Sequence, residues 1–302
     1  MVEKITLNEG SSIASHVPPR HMDDFLAIAL MMMKNPHAKV EFFPPQRVPP
    51  FYLEFKKICL IDIGQDYNPE LKNYDHHQDI SLPSSFVMIL ENEFGSANFE
   101  SETIRFIDLM DRYGVKKASE LTGVPLNPEE DRMRKEILLI DLAKHGVEVG
   151  RIVLETLKIN GYSEWLRTFY QKLDDKKLLD EPREILKREE ELFKERLSKA
   201  KILHKDNLKI LISNQSLAPN HFRVFETGVD LIIERNIMKP EHTSIIKNTS
   251  SIKTGNIDLA KVFTVYPKIF LHQNGFIAVI DASIEEVSIE EILEIILEKK
   301  EA

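Results

Sequence analysis

The run Ile58-Cys59-Leu60-Ile61-Asp62-Ile63-Gly64 constrains the fold of this chain more than any other. A strand that is apolar on both faces belongs in a parallel sheet covered on both sides by other elements. This one nevertheless ends in an acid. Upstream, Ser12 to His16 reads as a short buried strand, broken by Pro18 and Pro19. Met22 to Lys34 reads as a helix that is apolar almost all round, as in a helix buried between layers. Val40 to Phe43 reads as a second strand, and prolines at 44, 45, 49 and 50 mark a loop. Strand, helix, strand, strand in this order predicts an open, mostly parallel α/β sheet with helices on both faces. Sites in such sheets lie outside the carboxyl ends of the strands, where His16 and Asp62 both stand.

Downstream, helices are predicted over Ser84–Glu93, Ser101–Arg112, Asn127–His145, Val149–Ile159 and Ser163–Lys172. Lys176 to Lys201 is dense in Lys and Glu and reads as an exposed helical connector. Leu208–Ser213, Asp230–Glu234, Thr243–Lys247 and Gly275–Ile280 read as strands, and Ile257–Val262 and Ile284–Glu298 as helices. The expected organisation is a metal-binding catalytic domain over 1–175, a connector over 176–200 and a smaller α/β substrate-binding domain over 201–302.

Composition narrows the function. The chain has 302 residues, 42% hydrophobic and 29% charged, as in a soluble protein with room for two cores. Its single cysteine, Cys59, excludes a disulfide within the chain and points to a reducing compartment. With no signal-like segment and no apolar run of ~20 residues, the expected location is cytoplasmic, with no membrane partner. A net charge of −9 argues against tracking a long duplex nucleic acid. A short oligonucleotide or a nucleotide is compatible with it, as is a homodimer.

The chemistry concentrates in two clusters. Asp62, Asp75, His76 and His77 fall within sixteen positions, and His16, His21, Asp23 and Asp24 form the second group. Carboxylate with imidazole suits Mn(II), Fe(II), Zn(II) or Mg(II). Two such clusters at strand ends predict a hydrolytic centre of two divalent cations. Asp62 is the candidate bridge, because a strand end aims a short, stiff side chain into the crevice. His16, His21 and Asp23 would complete one shell and part of the other, and His76 would bind one ion. Asp75 and His77 would orient ligands or touch substrate. Asp108 and Asp111, three apart on one predicted helix, face the same side and offer one further acid, with Asp111 preferred. His77 or Arg20 would contact a phosphate oxygen.

Three motifs carry a family resemblance. They are His16-x4-His21-x-Asp23-Asp24, Ile61-Asp62-Ile63-Gly64-x2-Tyr67-x-Pro69, and Tyr74-Asp75-His76-His77-Gln78 followed by Ser84-Ser85. Together they resemble the melanocyte-proliferating-gene-one exonuclease family, a branch of the DHH phosphoesterase superfamily. Ile269 to Ile277 is similar to that family's C-terminal His-x-x-Gly-Phe-Ile signature. Ser244-Ile245-Ile246-Lys247-Asn248 resembles a Ser-x-Arg-Ser strand of DHH-associated domains, with lysine for arginine. Between the first two histidines the family usually has Asn-Gly-x-Phe, whereas this chain has Val17-Pro18-Pro19-Arg20, which adds a cation. The resemblance implies a Mn(II)-dependent phosphoesterase. Its ligands would be His16, His21, Asp23, Asp62, His76 and either Asp108 or Asp111. Substrate contacts would come from Ser84, Ser85, Lys247, Asn248, His272 and Gly275. The leading expectation is a nuclease or phosphodiesterase acting on short single-stranded oligonucleotides or dinucleotides. A pyrophosphatase or phosphomonoesterase on the same site, and a metal- or nucleotide-binding regulator without turnover, are the alternatives.

Overall fold

The acid at the end of the apolar run is delivered by a five-stranded sheet. The computed structural model describes residues 12–17, 20–44, 48–95, 101–218, 220–272 and 274–297. Pro18, Pro19, Pro45 and Gln273 lie outside the described residues. The chain falls into two compact units, Met1–Leu186 and Lys187–Ala302. The first unit opens with β1 (Ser12–His16), α1 (Met22–Lys34), β2 (Lys39–Phe43), β3 (Ile58–Ile61), β4 (Tyr67–Asn68) and β5 (Asn73–Tyr74). The strand order is β2-β1-β3-β5-β4. Every pairing is parallel except the one between β4 and β5. This is the predicted α/β class, with a mostly parallel N-terminal sheet.

The alternation of β3 divides its residues between two cores, as a strand buried on both faces requires. Cys59 and Ile61 join Ile13 and Tyr74 in the large core beneath α1. Ile58 and Leu60 join Ala14 and Ile63 on the other face, where Val48, Tyr52 and Leu53 cover them. That cover is a 3-10 turn, Pro50–Glu54, within the segment read as a proline-marked loop. Pro50 opens the turn with a backbone angle already suited to it.

The helical layer comprises α2 (Ser85–Phe94), α3 (Glu102–Tyr113), α4 (Val115–Thr122), α5 (Pro128–Leu138), α6 (Leu142–Thr156), α7 (Tyr162–Asp175) and α8 (Asp180–Lys199). Here the structure corrects the sequence reading. The break expected near Gly146 falls instead at 139–141, where Asp141 caps α6 by accepting from the Ala143 N–H at 3.0 Å. Gly146 and Gly150 lie inside α6 because α1 passes against them. A Cβ on Gly146 would sit 2.2 Å from the Met32 Sδ, and one on Gly150 2.3 Å from the Ala29 carbonyl oxygen.

The expected connector 176–200 becomes a turn and the 20-residue helix α8, and the unit boundary falls within that helix. It is not purely solvated. Leu179, just ahead of α8, is buried in the first unit's core, and Phe193 in a core of the second.

The second unit contains β6 (Lys201–Lys205), β7 (Leu208–Ser213), α9 (His221–Glu226), β8 (Leu231–Arg235), β9 (Thr243–Lys247), β10 (Lys268–Leu271), β11 (Ile277–Ile280) and α10 (Ile289–Leu297). They form one sheet, ordered β10-β11-β9-β8-β7-β6, with only β7 and β8 parallel. Isoleucines and leucines alternate between its two faces. The predicted helix over 257–262 is a 3-10 turn, Leu259–Thr264. The one predicted from Ile284 begins at Ile289, and Ile284 and Val287 pack into the core from the turn before it. Among the described residues, no helix is long and apolar enough to cross a membrane.

Substituting Gly150 by alanine forces α1 and α6 apart. Chemical denaturation of Gly150→Ala should show a loss of about 1–3 kcal/mol, the usual cost of overpacking. A loss within error of zero would mean that the two helices do not need this approach.

Candidate metal centre

Three elements aim acids at one point above the sheet. Asp62 follows β3 directly, in the left-handed region at φ 57°, a conformation that Asp tolerates better than most residues. Its N–H donates to the Tyr74 carbonyl at 3.0 Å, which ties it to β5. Gly64, at φ 106°, then turns the chain, and its missing Cβ avoids the Leu53 and Leu60 side chains 3.1 and 3.2 Å away. Asp23 and Asp24 come from the first turn of α1, next to the N-cap His21. Asp111 comes from the last turn of α3.

Around Asp62 the imidazoles close in. His16 Nε2 lies 3.3 Å from an oxygen of Asp62 and 3.3 Å from one of Asp24. His76 Nε2 lies 3.2 Å from Asp62 and 2.9 Å from Asp111. His21 Nδ1 lies 3.2 Å from Asp111. Among the described residues, three sets of donor atoms are each close enough together to hold an ion: His16, His21 and Asp62; Asp62, His76 and His77; and Asp23, Asp62, His76 and Asp111. Asp62 is common to all three.

The hydrogen bonds at the rim orient these groups. His16 Nδ1 donates to the Val17 carbonyl at 2.8 Å, which directs Nε2 at the acids. Asp24 Oδ1 accepts from the N–H groups of His21 and Phe25 at 2.7 and 2.9 Å. Asp75 takes the Gln65 N–H at 2.6 Å and the His77 Nδ1–H at 2.7 Å, so it stands behind the His77 ring and fixes its direction.

The centre passes a direct test of fit for a cation. Both oxygens of Asp23 are buried without a hydrogen-bond partner. Asp24 Oδ2 and Asp111 Oδ2 meet the rings of His16 and His76, at 3.3 and 2.9 Å. Buried carboxylate oxygens normally find a partner. Burial, then Asp62 and Asp111, push the Asp23 carboxyl well above the usual carboxylate range. The pair Asp24 and Asp62 push His16 up to about 10. His76 also rises to about 10, because Asp111 and Asp62 overcome the opposing effect of its burial. Asp111, despite its burial, is held down at about 2 by His21 and His76. Protons thus hold the carboxylates together where a divalent cation would otherwise neutralise them.

The remaining predicted residues divide. Asp108 is turned away from the cluster: it accepts the Ser84 N–H at 2.7 Å and pairs with Arg112 at 2.5 Å, so Asp111 alone of the two faces the centre. Ser85 Oγ donates to the Tyr74 carbonyl at 2.6 Å and lies 3.4 Å from Asp62, while the buried Ser84 Oγ has no partner. Arg20 lies over the Phe42 ring, its guanidinium carbon 4.5 Å from the centroid. In the second unit Lys247 Nζ donates to the Ile257 carbonyl at 2.7 Å, and Asn248 is bonded to Val229. Both residues line a cavity of about 500 Å³ with Phe222, Phe225 and Phe276. His272 packs on Phe276 at 4.0 Å, and Gly275 takes a left-handed turn at φ 64°. The sequence left Asp24 without a role and missed the aromatic cavity. The third position of a helix start marks Asp24 as a capping group, but the cavity draws on segments that no local pattern connects.

No protein-family model matches the chain, and no curated protein matches its sequence. Among solved structures, the pGpG-specific phosphodiesterase PggH from Vibrio cholerae aligns over 97% of this chain and 100% of its own, at 14% identity with a TM-score of 0.50. An uncharacterized protein from Helicobacter pylori G27 aligns over 96% and 99% at 11% identity, but its TM-score of 0.29 is too low to bear on the fold. The chain therefore shares its overall fold with a phosphodiesterase, and its acid and imidazole groups could hold divalent metal.

The protons in the cluster set a pH dependence. Between the ordinary imidazole value near 6.5 and about 10, folded His16 and His76 keep protons that the unfolded chain has lost. Their stabilising contribution is thus complete below 6.5 and disappears as pH rises through 10, and Asp23 acts in the same direction from lower pH. In EDTA, melting temperature should fall between about pH 6.5 and about pH 9.5. With saturating Mn(II) the fall should shrink or reverse, since the cation replaces those protons. A metal-free melting temperature that rises over this interval would contradict the assignment.

Asp23→Asn removes one of the crowded carboxylates. It should raise the melting temperature in EDTA and reduce the further rise that Mn(II) produces. A variant that melts lower in EDTA and keeps its full response to Mn(II) would count against the placement of Asp23.

Proposed function

We propose that this chain is a metal-dependent phosphodiesterase acting on short single-stranded oligonucleotides, dinucleotides above all. The observation that carries the reading is the Asp62 carboxylate, which belongs at once to the His16–His21 group and to the Asp23–His76–Asp111 group. One carboxylate shared by two donor sets is the arrangement that holds a pair of cations with a common bridge. In this reading His16, His21 and Asp62 would hold one ion, and Asp23, Asp62, His76 and Asp111 the other, with Mn(II) suited to mixed imidazole and carboxylate donors. When bound, the pair supplies a water acidified for attack and a positive field for the charge that develops on the phosphoryl oxygens.

The protein's own groups do the rest. Asp75 fixes the ring of His77, which is half exposed and offers its second nitrogen to an oxygen of the scissile phosphate. Asp24 sets His16 and the N-terminus of α1. Ser85, bridging the Tyr74 carbonyl and Asp62, keeps the loop after β5 close to β3. In the second unit, a cavity walled by three phenylalanines suits a nucleobase, which stacks on aromatic faces. The motif resemblance to melanocyte-proliferating-gene-one exonucleases and the fold shared with a pGpG-specific phosphodiesterase support the same choice.

The test is hydrolysis by the full chain with Mn(II) of pGpG, bis-p-nitrophenyl phosphate, p-nitrophenyl phosphate and pyrophosphate. Diesters should turn over and release mononucleotide from pGpG, with pyrophosphate and the monoester far slower. Asp62→Asn should reduce turnover to background, and Asp75→Asn should cost ~10–100-fold, as loss of an orienting partner does. Inactivity on both diesters with Mn(II), Mg(II), Fe(II) and Zn(II) alike would sink the proposal.

A further inference from the structure

Arg20 stands beside the candidate centre and, among the described residues, forms no ion pair. Its side chain is half buried, and Nε is enclosed without a hydrogen-bond partner. Among the described residues its one contact of charge is the face of Phe42, at 4.5 Å. Asp24 and Asp141 lie close enough to be felt, yet neither forms an ion pair with it. The other arginine near the cluster, Arg112, is engaged by Asp108 and the Ile80 carbonyl. A half-buried guanidinium is costly to leave unpaired in a chain of net charge −9, where carboxylates are abundant. Its planar fork matches phosphate oxygens in pairs.

Position decides which phosphate. Phe42 lies on β2, while Asp62 follows β3, and β1 runs between them. Two strand spacings, roughly 9–10 Å, separate those lines. That separation leaves room at the Arg20 guanidinium for a phosphate other than the one at Asp62. The stacking on Phe42 also restricts the guanidinium in advance, which lowers the entropy lost on binding.

Resting on the phosphodiesterase reading, we infer that Arg20, its guanidinium stacked on the Phe42 ring, is a specificity residue for the terminal 5′-phosphate of a linear dinucleotide, one nucleoside away from the scissile phosphate.

The experiment compares pGpG with GpG on the full-length protein, as wild type, Arg20→Gln and Arg20→Lys. With Mn(II), wild type should show a higher kcat/KM for pGpG, mainly through KM. Arg20→Gln should shrink that preference ~10–100-fold, and Arg20→Lys should restore part of it, since lysine supplies the charge without the fork. Affinity for the two dinucleotides is measured in parallel in EDTA by calorimetry, where no turnover is needed. Equal wild-type affinity for pGpG and GpG, or an equal loss on both in Arg20→Gln, would overturn the inference. Absence of diester hydrolysis with the pGpG preference intact in EDTA would overturn the metal-centre reading alone.

Discussion

Crowding of buried acid is the constraint on which the first unit is built. Asp23, Asp24, Asp62 and Asp111 meet at the carboxyl edge of the sheet, and among the described residues neither oxygen of Asp23 has a hydrogen-bond partner. A protein cannot hold four such groups ionised side by side in a medium of low dielectric. Two outcomes exist. Protons fill the gap, which is why His16 and His76 are pushed up to about 10, or a doubly charged ion does.

Much of this is legible in the amino-acid sequence. His16 and Asp62 can be placed because a strand apolar on both faces fixes the kind of sheet, and the kind of sheet fixes the end at which polar groups gather. Asp111 can be preferred over Asp108 but not separated from it, since three residues on a helix leave both on one side. The separation comes from Arg112 and the Ser84 N–H, which claim Asp108. Neither interaction leaves a trace in local pattern.

What the sequence hides is mostly tertiary. Gly146 looks like the end of a helix, because glycine in isolation weakens one. Its actual reason for being glycine is Met32, on another element. The 3-10 turn that covers the second sheet face, the late start of α10 and the aromatic cavity of the second unit have the same origin. Each is completed by neighbours remote in the chain, which no local pattern names.

The glycine contact between α1 and α6 reaches beyond packing. Asp23 and Asp24 ride on the first turn of the helix whose far half is pressed backbone to backbone against Gly150. Packing that close leaves α1 little room to tilt or slide, so the backbone separation of Asp23 and Asp24 from Asp62 is set by main-chain packing. Such a frame would discriminate among ions by size. Calcium, which gathers six to eight oxygens at generous and variable distances, needs walls that yield. Walls set by close backbone packing would yield little, and selectivity for small cations would follow from two absent methyl groups in α6.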